Sequence, residues 1–237
     1  NLVSNLKSVG SALPMESIHK ALSFLPLCHS FERTVYYVYM ANSVSIYYAE
    51  NLETIGENLK EVQPNCFTTV PRLLEKVYEK IMEKGHSLTG IKKKLFFWAL
   101  DLGLQYELNK DMGWLYNLRL GIARKLIFSK WREALGGNIE VVVTGAAALQ
   151  PRLGKVFAAA GIVVLEGYGL TETSPVVCTN RFEEKDRAFG TVGIPIPGVE
   201  VKIADDGEIL TKGPNIMMGY YKRQDLTDEV IGKDGWF

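Results

Sequence analysis

Residues 165–175 read LEGYGLTETSP and directly follow the apolar run IVV. Tyr168 offers an aromatic face on which a flat ring can stack. Thr171 supplies a hydroxyl beside the backbone amides of Gly169 and Leu170, an arrangement that suits a phosphate. One position on, Glu172 is a hard oxygen ligand of the kind magnesium takes together with substrate phosphates. A second stretch, TGAAAL, places Gly145, Ala146 and Ala147 after another apolar run, and side chains this small let a flat ligand approach the backbone. The combination describes a purine nucleotide site. Singly, each part has a plainer reading: small residues after a strand form a turn, a tyrosine joins the core, and a Thr-Glu pair caps a helix.

The elements that must hold these residues alternate along the chain. ALSFLPL (21–27) reads as a short strand stopped by Pro26, and the helix after it is expected to start from a Ser30 cap. VSIYYAE then reads as a strand, TIGENLKEV as a helix and CFTTV as a strand. Strand and helix in alternation predict a parallel sheet with helices on its faces. VPRLLEKVYEKIMEKG puts Leu73, Leu74, Val77, Tyr78 and Ile81 on one helical face, with Pro71 in the first turn and Gly85 as the expected stop. Residues 91–135, rich in aromatics, read as two packed helices. The Lys92–Lys94 cluster beside Phe96 and Phe97 offers a membrane-surface alternative. A strand over 139–145, a helix from Pro151 and a strand over 162–167 form a βαβ unit. Both candidate stretches fall at carboxyl ends of strands, where ligands sit in such sheets. After about Gly190 short alternating runs with Gly and Pro predict a smaller antiparallel sheet or barrel, with Asp205-Asp206-Gly207 as a hairpin turn. The expected organisation is an α/β part over 1–189, with a helical insert at about 86–135, and an antiparallel part over 190–237.

Bulk properties narrow the function. The 237 residues are 47% apolar and 23% charged, with 27 basic and 27 acidic side chains, so no chain-wide field draws the protein to nucleic acid. Its three cysteines, Cys28, Cys66 and Cys178, form no C-x-x-C pair, which argues against a disulfide framework or a zinc site and fits a reducing, cytoplasmic setting. No apolar run approaches the ~18 residues that span a bilayer.

EGYGLTETSP resembles the adenine- and phosphate-binding signature of the adenylate-forming enzymes, the superfamily of acyl-CoA synthetases, firefly luciferase and peptide-synthetase adenylation domains. LPLCHSFE resembles that family's proline and histidine motif, TGAAAL its adenine-flanking loop, and GEILTKGPNIMMGYYKRQDLT its glycine-rich segment before the hinge. SVGSALP, SVSIYYAE and TTVPRLLEKVYEKI look most like the long-chain fatty acid CoA ligase branch. The resemblance covers essentially the whole chain and implies part of the large N-terminal domain of such an enzyme. It implies that Gly145, Ala146 and Ala147 line the adenine, that Glu166 and Gly167 hold its edge through the backbone, and that Tyr168 stacks on it. Thr171, with Gly169 beside it, would contact the α-phosphate, Glu172 would hold magnesium, and Gly193 would lie near the acyl pocket wall. His29 matches the motif histidine near the acyl and pantetheine passage; read on its own, it is equally a satisfied histidine at a strand end.

ATP, magnesium, coenzyme A and a fatty acid are the implied ligands, with peripheral membrane contact through Lys92–Phe97 as one expectation. Chemistry of that kind depends on charge neutralisation and in-line positioning, which accords with the lack of a Ser-His-Asp or paired-carboxylate constellation. The family's Gly/Ser/Thr-rich phosphate loop and its catalytic lysine have no counterpart in the sequence. The expectation is therefore an internal piece of a longer enzyme, inactive alone. The competing readings are a ligase for an aryl, medium-chain or amino acid, and a non-enzymatic nucleotide-binding module of the same fold.

Overall fold

The computed structural model describes residues 1–237. In chain order its elements are α1 (Leu2–Gly10), β1 (Lys20–Ser23), α2 (Ser30–Ala41), β2 (Ser45–Tyr48), α3 (Ile55–Val62), β3 (Cys66–Thr69), α4 (Pro71–Ser87) and α5 (Gly90–Leu104). Then come α6 (Trp114–Ala123), α7 (Ser129–Ala134), β4 (Val141–Thr144), α8 (Pro151–Ala159), β5 (Val163–Gly169), β6 (Val176–Thr179), β7 (Ile194–Pro195), β8 (Glu200–Ile203), β9 (Ile209–Lys212) and α9 (Gln224–Val230).

One seven-stranded sheet has the order β2-β1-β3-β4-β5-β6-β7. Its first five strands are parallel, as the strand and helix alternation predicts, and β6 and β7 add on antiparallel. Residues alternate between faces, so a buried parallel strand is apolar throughout. In β4, Val142 faces α3, α4, α5 and α8, while Val141 and Val143 face α1 and α2. The thicker side centres on Trp131, whose ring lies 5.2 Å from Phe128, 6.3 Å from Phe157, 6.4 Å from Phe96 and 6.5 Å from Tyr78. The two helices expected over 91–135 are α5 and a rod in which α6 and α7 are joined by a π-helical turn at Arg124–Phe128.

Two local expectations are corrected and a third is narrowed. Helix α4 does not stop at Gly85 but runs to Ser87; Gly85 is buried, and a Cβ there would lie 2.1 Å from Phe96 Cε1, so the glycine serves close helix packing rather than termination. Helix α2 takes His29, not Ser30, as its N-cap residue, with the His29 carbonyl accepting the Arg33 N–H at 3.1 Å. Of the sheet or barrel expected after about Gly190, the small antiparallel sheet is the form found. The β7 strand joins the main sheet, and β8 and β9 form a separate two-stranded ribbon turning at Asp205-Asp206-Gly207.

Candidate functional site

Parallel strands β1, β3, β4 and β5 end at one edge of the sheet, and the candidate residues gather there. Register pairs Thr144 with Glu166, which sets Gly145 beside Gly167. A Cβ on Gly145 would sit 3.4 Å from the Gly167 carbonyl oxygen and 3.5 Å from the Phe31 ring, so the loop begins in ordinary van der Waals contact with both. The next residue, Ala146, adopts φ +66°, a left-handed conformation that turns the chain outward. Ala146 and Ala147 are exposed and present a surface of small side chains beyond the strand ends. The hydroxyl of Thr144, buried just before the loop, has no protein partner.

Glu166 makes hydrogen bonds within the fold through both its backbone and its side chain. Its backbone carbonyl accepts the Asn180 N–H at 2.9 Å, and its buried carboxylate accepts the Leu149 N–H at 3.0 Å. Burial pushes this carboxyl above its usual range, and the Leu149 bond opposes that rise. The side chain thus ties the far end of the TGAAAL loop to β5. Tyr168 is half-buried and packs against the cluster beneath α1 and α2. Between Tyr168 and Gly169 the pairing with β6 slips by a bulge, which re-aims the strand end.

After the bulge the chain makes one 3₁₀ turn, Thr171–Thr173. Thr173 is buried, and its hydroxyl accepts the Leu170 N–H at 2.9 Å. Gly169 meets this turn at close range: a Cβ there would lie 1.8 Å from the Pro175 carbonyl oxygen. Thr171 is exposed at the tip, its Oγ1 3.5 Å from Ser30 Oγ at the start of α2. That contact brings the LPLCHSFE and EGYGLTETSP stretches together. His29, the neighbour of Ser30, is exposed at the α2 entrance, and its side chain makes no capping bond.

Glu172 is partly buried, and its Oε1 accepts the Tyr220 hydroxyl at 3.0 Å, leaving Oε2 without a protein partner. The hydrogen bond to this carboxylate raises the Tyr220 phenol, since losing its proton would end the donation. The Glu172 carbonyl accepts the Met217 N–H at 2.7 Å. The glycine-rich segment after β9 therefore clasps the turn from outside. Asn1 holds that segment in turn, its Nδ2 donating to Pro214 O at 2.9 Å. Asn5, fully buried in α1, donates to Val176 O at 2.8 Å and accepts from Val176 N–H at 3.4 Å. No group of three or more His, Cys, Asp or Glu side chains is arranged to hold a metal ion. A single carboxylate with one free oxygen still fits magnesium, which takes one or two carboxylates together with substrate phosphates.

Gly193 has φ +77°, and a Cβ there would lie 2.2 Å from Asn180 N, so it fixes a backbone crossing against β6. Sequence reasoning missed Tyr220, Asn5 and Glu32, the last a buried residue in the first turn of α2 whose carboxylate accepts the Ser23 hydroxyl at 2.5 Å. Tyr220 lies inside a quoted motif but has no spacing signal tying it to Glu172. The two buried side chains show only as polar residues on the apolar faces of α1 and α2.

A family model described as "AMP-binding enzyme" matches residues 1–221. The long-chain-fatty-acid--CoA ligase FadD15 of Mycobacterium bovis is 34% identical over 242 residues, which cover 100% of this chain and 40% of that protein. The peroxisomal long chain acyl-CoA synthetase 6 of Arabidopsis thaliana is 33% identical over 253 residues, 100% of this chain and 35% of its own length. The chain thus spans well under half of these curated relatives. Among solved structures, the N-terminal domain of FACL13 from Mycobacterium tuberculosis superposes with TM-score 0.67 at 18% identity, covering 100% of this chain and 50% of that one. The O-succinylbenzoate coenzyme A synthetase of Bacillus subtilis in complex with AMP gives TM-score 0.66 at 17% identity with the same coverage, a likeness of fold.

Proposed function

The chain belongs to the AMP-binding enzyme family, and from that premise we propose that it is the adenine-binding portion of a ligase joining a long-chain fatty acid to coenzyme A. One observation carries the reading: in the turn that follows β5, Glu172 keeps one carboxylate oxygen free beside the exposed Thr171, while the register of β4 and β5 sets the small-residue loop that starts at Gly145 beside Gly167 of the same stretch. In this reading Tyr168 and the loop sandwich the adenine, Thr171 donates to the α-phosphate, and His29 lines the approach of the acyl group and the coenzyme A thiol. Bound at Glu172, magnesium would neutralise phosphate charge as the fatty carboxylate attacks the α-phosphorus and pyrophosphate departs. The thiol then displaces AMP from the acyl adenylate. Identities of 34% and 33% to a long-chain ligase and a long chain acyl-CoA synthetase, over 100% of this chain, support the long-chain acid.

The 237 residues hold no Gly/Ser/Thr-rich phosphate loop, so the proposal for the isolated chain is nucleotide binding without turnover. Calorimetry with AMP and ATP, with and without magnesium, tests it. AMP should bind, magnesium should strengthen ATP binding, and Glu172→Gln should remove the magnesium increment while sparing AMP. Equal magnesium increments in wild type and Glu172→Gln would sink the assignment. A substrate panel on the longer protein, followed by pyrophosphate release, tests the acid.

A further inference from the structure

Three successive side chains in the first turn of α2 reach three parts of the candidate site. Glu32 accepts the Ser23 hydroxyl of β1 and the Thr68 hydroxyl of β3, which fixes the turn to two strand ends. The Phe31 ring lies 3.5 Å from where a Cβ on Gly145 would stand, at the start of the TGAAAL loop. Ser30 Oγ lies 3.5 Å from Thr171 Oγ1, in the turn that follows β5. The turn is held in place by its neighbours, and Ser30 is held with it.

The Ser30 hydroxyl has no structural task that competes for it. Ser30 is the first residue of the helix rather than its N-cap, and its contact with Thr171 is the one polar contact its hydroxyl makes. Other hydroxyls around the site are committed inside the fold, those of Ser23 and Thr68 to Glu32 and that of Thr173 to the Leu170 N–H and the Pro175 carbonyl. At 3.5 Å, Ser30 and Thr171 stand outside the range of about 2.5–3.0 Å in which one hydroxyl holds another firmly, so each keeps a proton to donate. Two hydroxyl oxygens at that separation can both reach a single acceptor oxygen at about 2.8 Å. An ionised acceptor makes each such bond roughly twice as strong as a neutral one. Ser30 is half-buried and Thr171 exposed, so the pair opens outward, beside the carboxylate of Glu172 with its free oxygen.

We propose that Ser30 is a phosphate-binding residue whose hydroxyl donates, together with that of Thr171, to one oxygen of the nucleotide's α-phosphate. The inference rests on the nucleotide reading above and adds to it a residue from a different motif, 141 positions away. Donors from two separate elements fix the orientation of the phosphate as well as its position, and an in-line attack at phosphorus depends on orientation. A hydroxyl supplies this grip without placing another charge next to Glu172.

Calorimetry of the 237-residue chain with AMP and with adenosine tests this, because adenosine keeps the base and ribose and lacks the phosphate. Wild type should bind AMP more tightly than adenosine. Ser30→Ala should weaken AMP about tenfold, leave adenosine unchanged and keep the wild-type thermal midpoint. Ser30→Thr, which restores the hydroxyl, should recover most of the loss. A Ser30→Ala chain that binds AMP like wild type, or that loses AMP and adenosine equally, would overturn the proposal. So would a Ser30→Thr chain that binds AMP no better than Ser30→Ala, or a wild type that binds AMP no better than adenosine. If wild type binds neither ligand, the nucleotide reading fails and this inference with it; if wild type binds AMP and Ser30→Ala matches it, that reading stands and only this inference falls.

Discussion

Replacing Glu32 separates the two jobs its carboxyl performs. Glu32 sits in the first turn of α2 at 1% exposure, accepting the Ser23 hydroxyl from β1 at 2.5 Å and the Thr68 hydroxyl from β3. It pins the start of α2 to two strand ends, immediately after His29, Ser30 and Phe31. Glu32→Ala strands two buried hydroxyls, at about 1–3 kcal/mol each, and opens a small cavity, so a loss of about 2–5 kcal/mol is expected. Glu32→Gln keeps the shape, and both hydroxyls can rotate to suit an amide. Burial raises the Glu32 carboxyl above its ordinary value of 4.5, with the two hydroxyl bonds opposing the rise. In the window between 4.5 and that raised value the folded state binds more protons than the unfolded state, so native stability falls as pH rises. Glutamine lacks this penalty. Urea unfolding should therefore show Glu32→Gln gaining on wild type from about pH 4.5 upward, by at most about 1.4 kcal/mol per pH unit, with no change in m value. A stability difference that stays flat or runs the other way across that range would refute a carboxyl whose burial outweighs its two hydroxyl bonds. An alanine variant within about 0.5 kcal/mol of wild type would refute the pinning.

Other perturbations probe the site loop and its surroundings. Gly169→Ala places a methyl 1.8 Å from the Pro175 carbonyl oxygen, a backbone atom that cannot swing aside, so a lowered thermal midpoint and loss of AMP binding are expected together. Tyr220→Phe removes the hydroxyl on Glu172 Oε1 and should reduce the magnesium increment in ATP affinity several-fold while AMP affinity stays unchanged by calorimetry. Cys28 is exposed, whereas Cys66 and Cys178 are buried and the Cys66 thiol is pushed up to about 12 by burial. Mass spectrometry after iodoacetamide treatment should therefore find one label per native chain and three in denaturant.

The parallel core was legible because its signals are local. The runs at 141–143 and 162–165 are continuously apolar and form the inner parts of two neighbouring strands, and Pro151 opens the helix between them. Where packing partners are distant, the sequence misleads. Gly85 reads as a stop, yet it is required by Phe96, eleven positions on in another helix. Pairing of β6 with β5 reverses direction because only a tight turn at Thr171–Pro175 joins them, and an antiparallel return is the one a short connection permits. The Glu172–Tyr220 bond spans 48 positions, and no periodicity carries a contact of that range.

Asn5 gives the loop a property that its own residues do not reveal. A primary amide has one acceptor and one donor side by side, the same pair a neighbouring strand presents, and Asn5 spends both on the peptide groups of Val176. A single side chain thus stands in for a strand at the point where the Thr171–Pro175 turn re-enters the sheet, while Met217 fastens the turn from the other end of the chain. The stretch EGYGLTETSP is therefore not a transplantable cassette. Grafted into another parallel sheet, it would arrive with its turn chemistry intact and its two outside anchors missing.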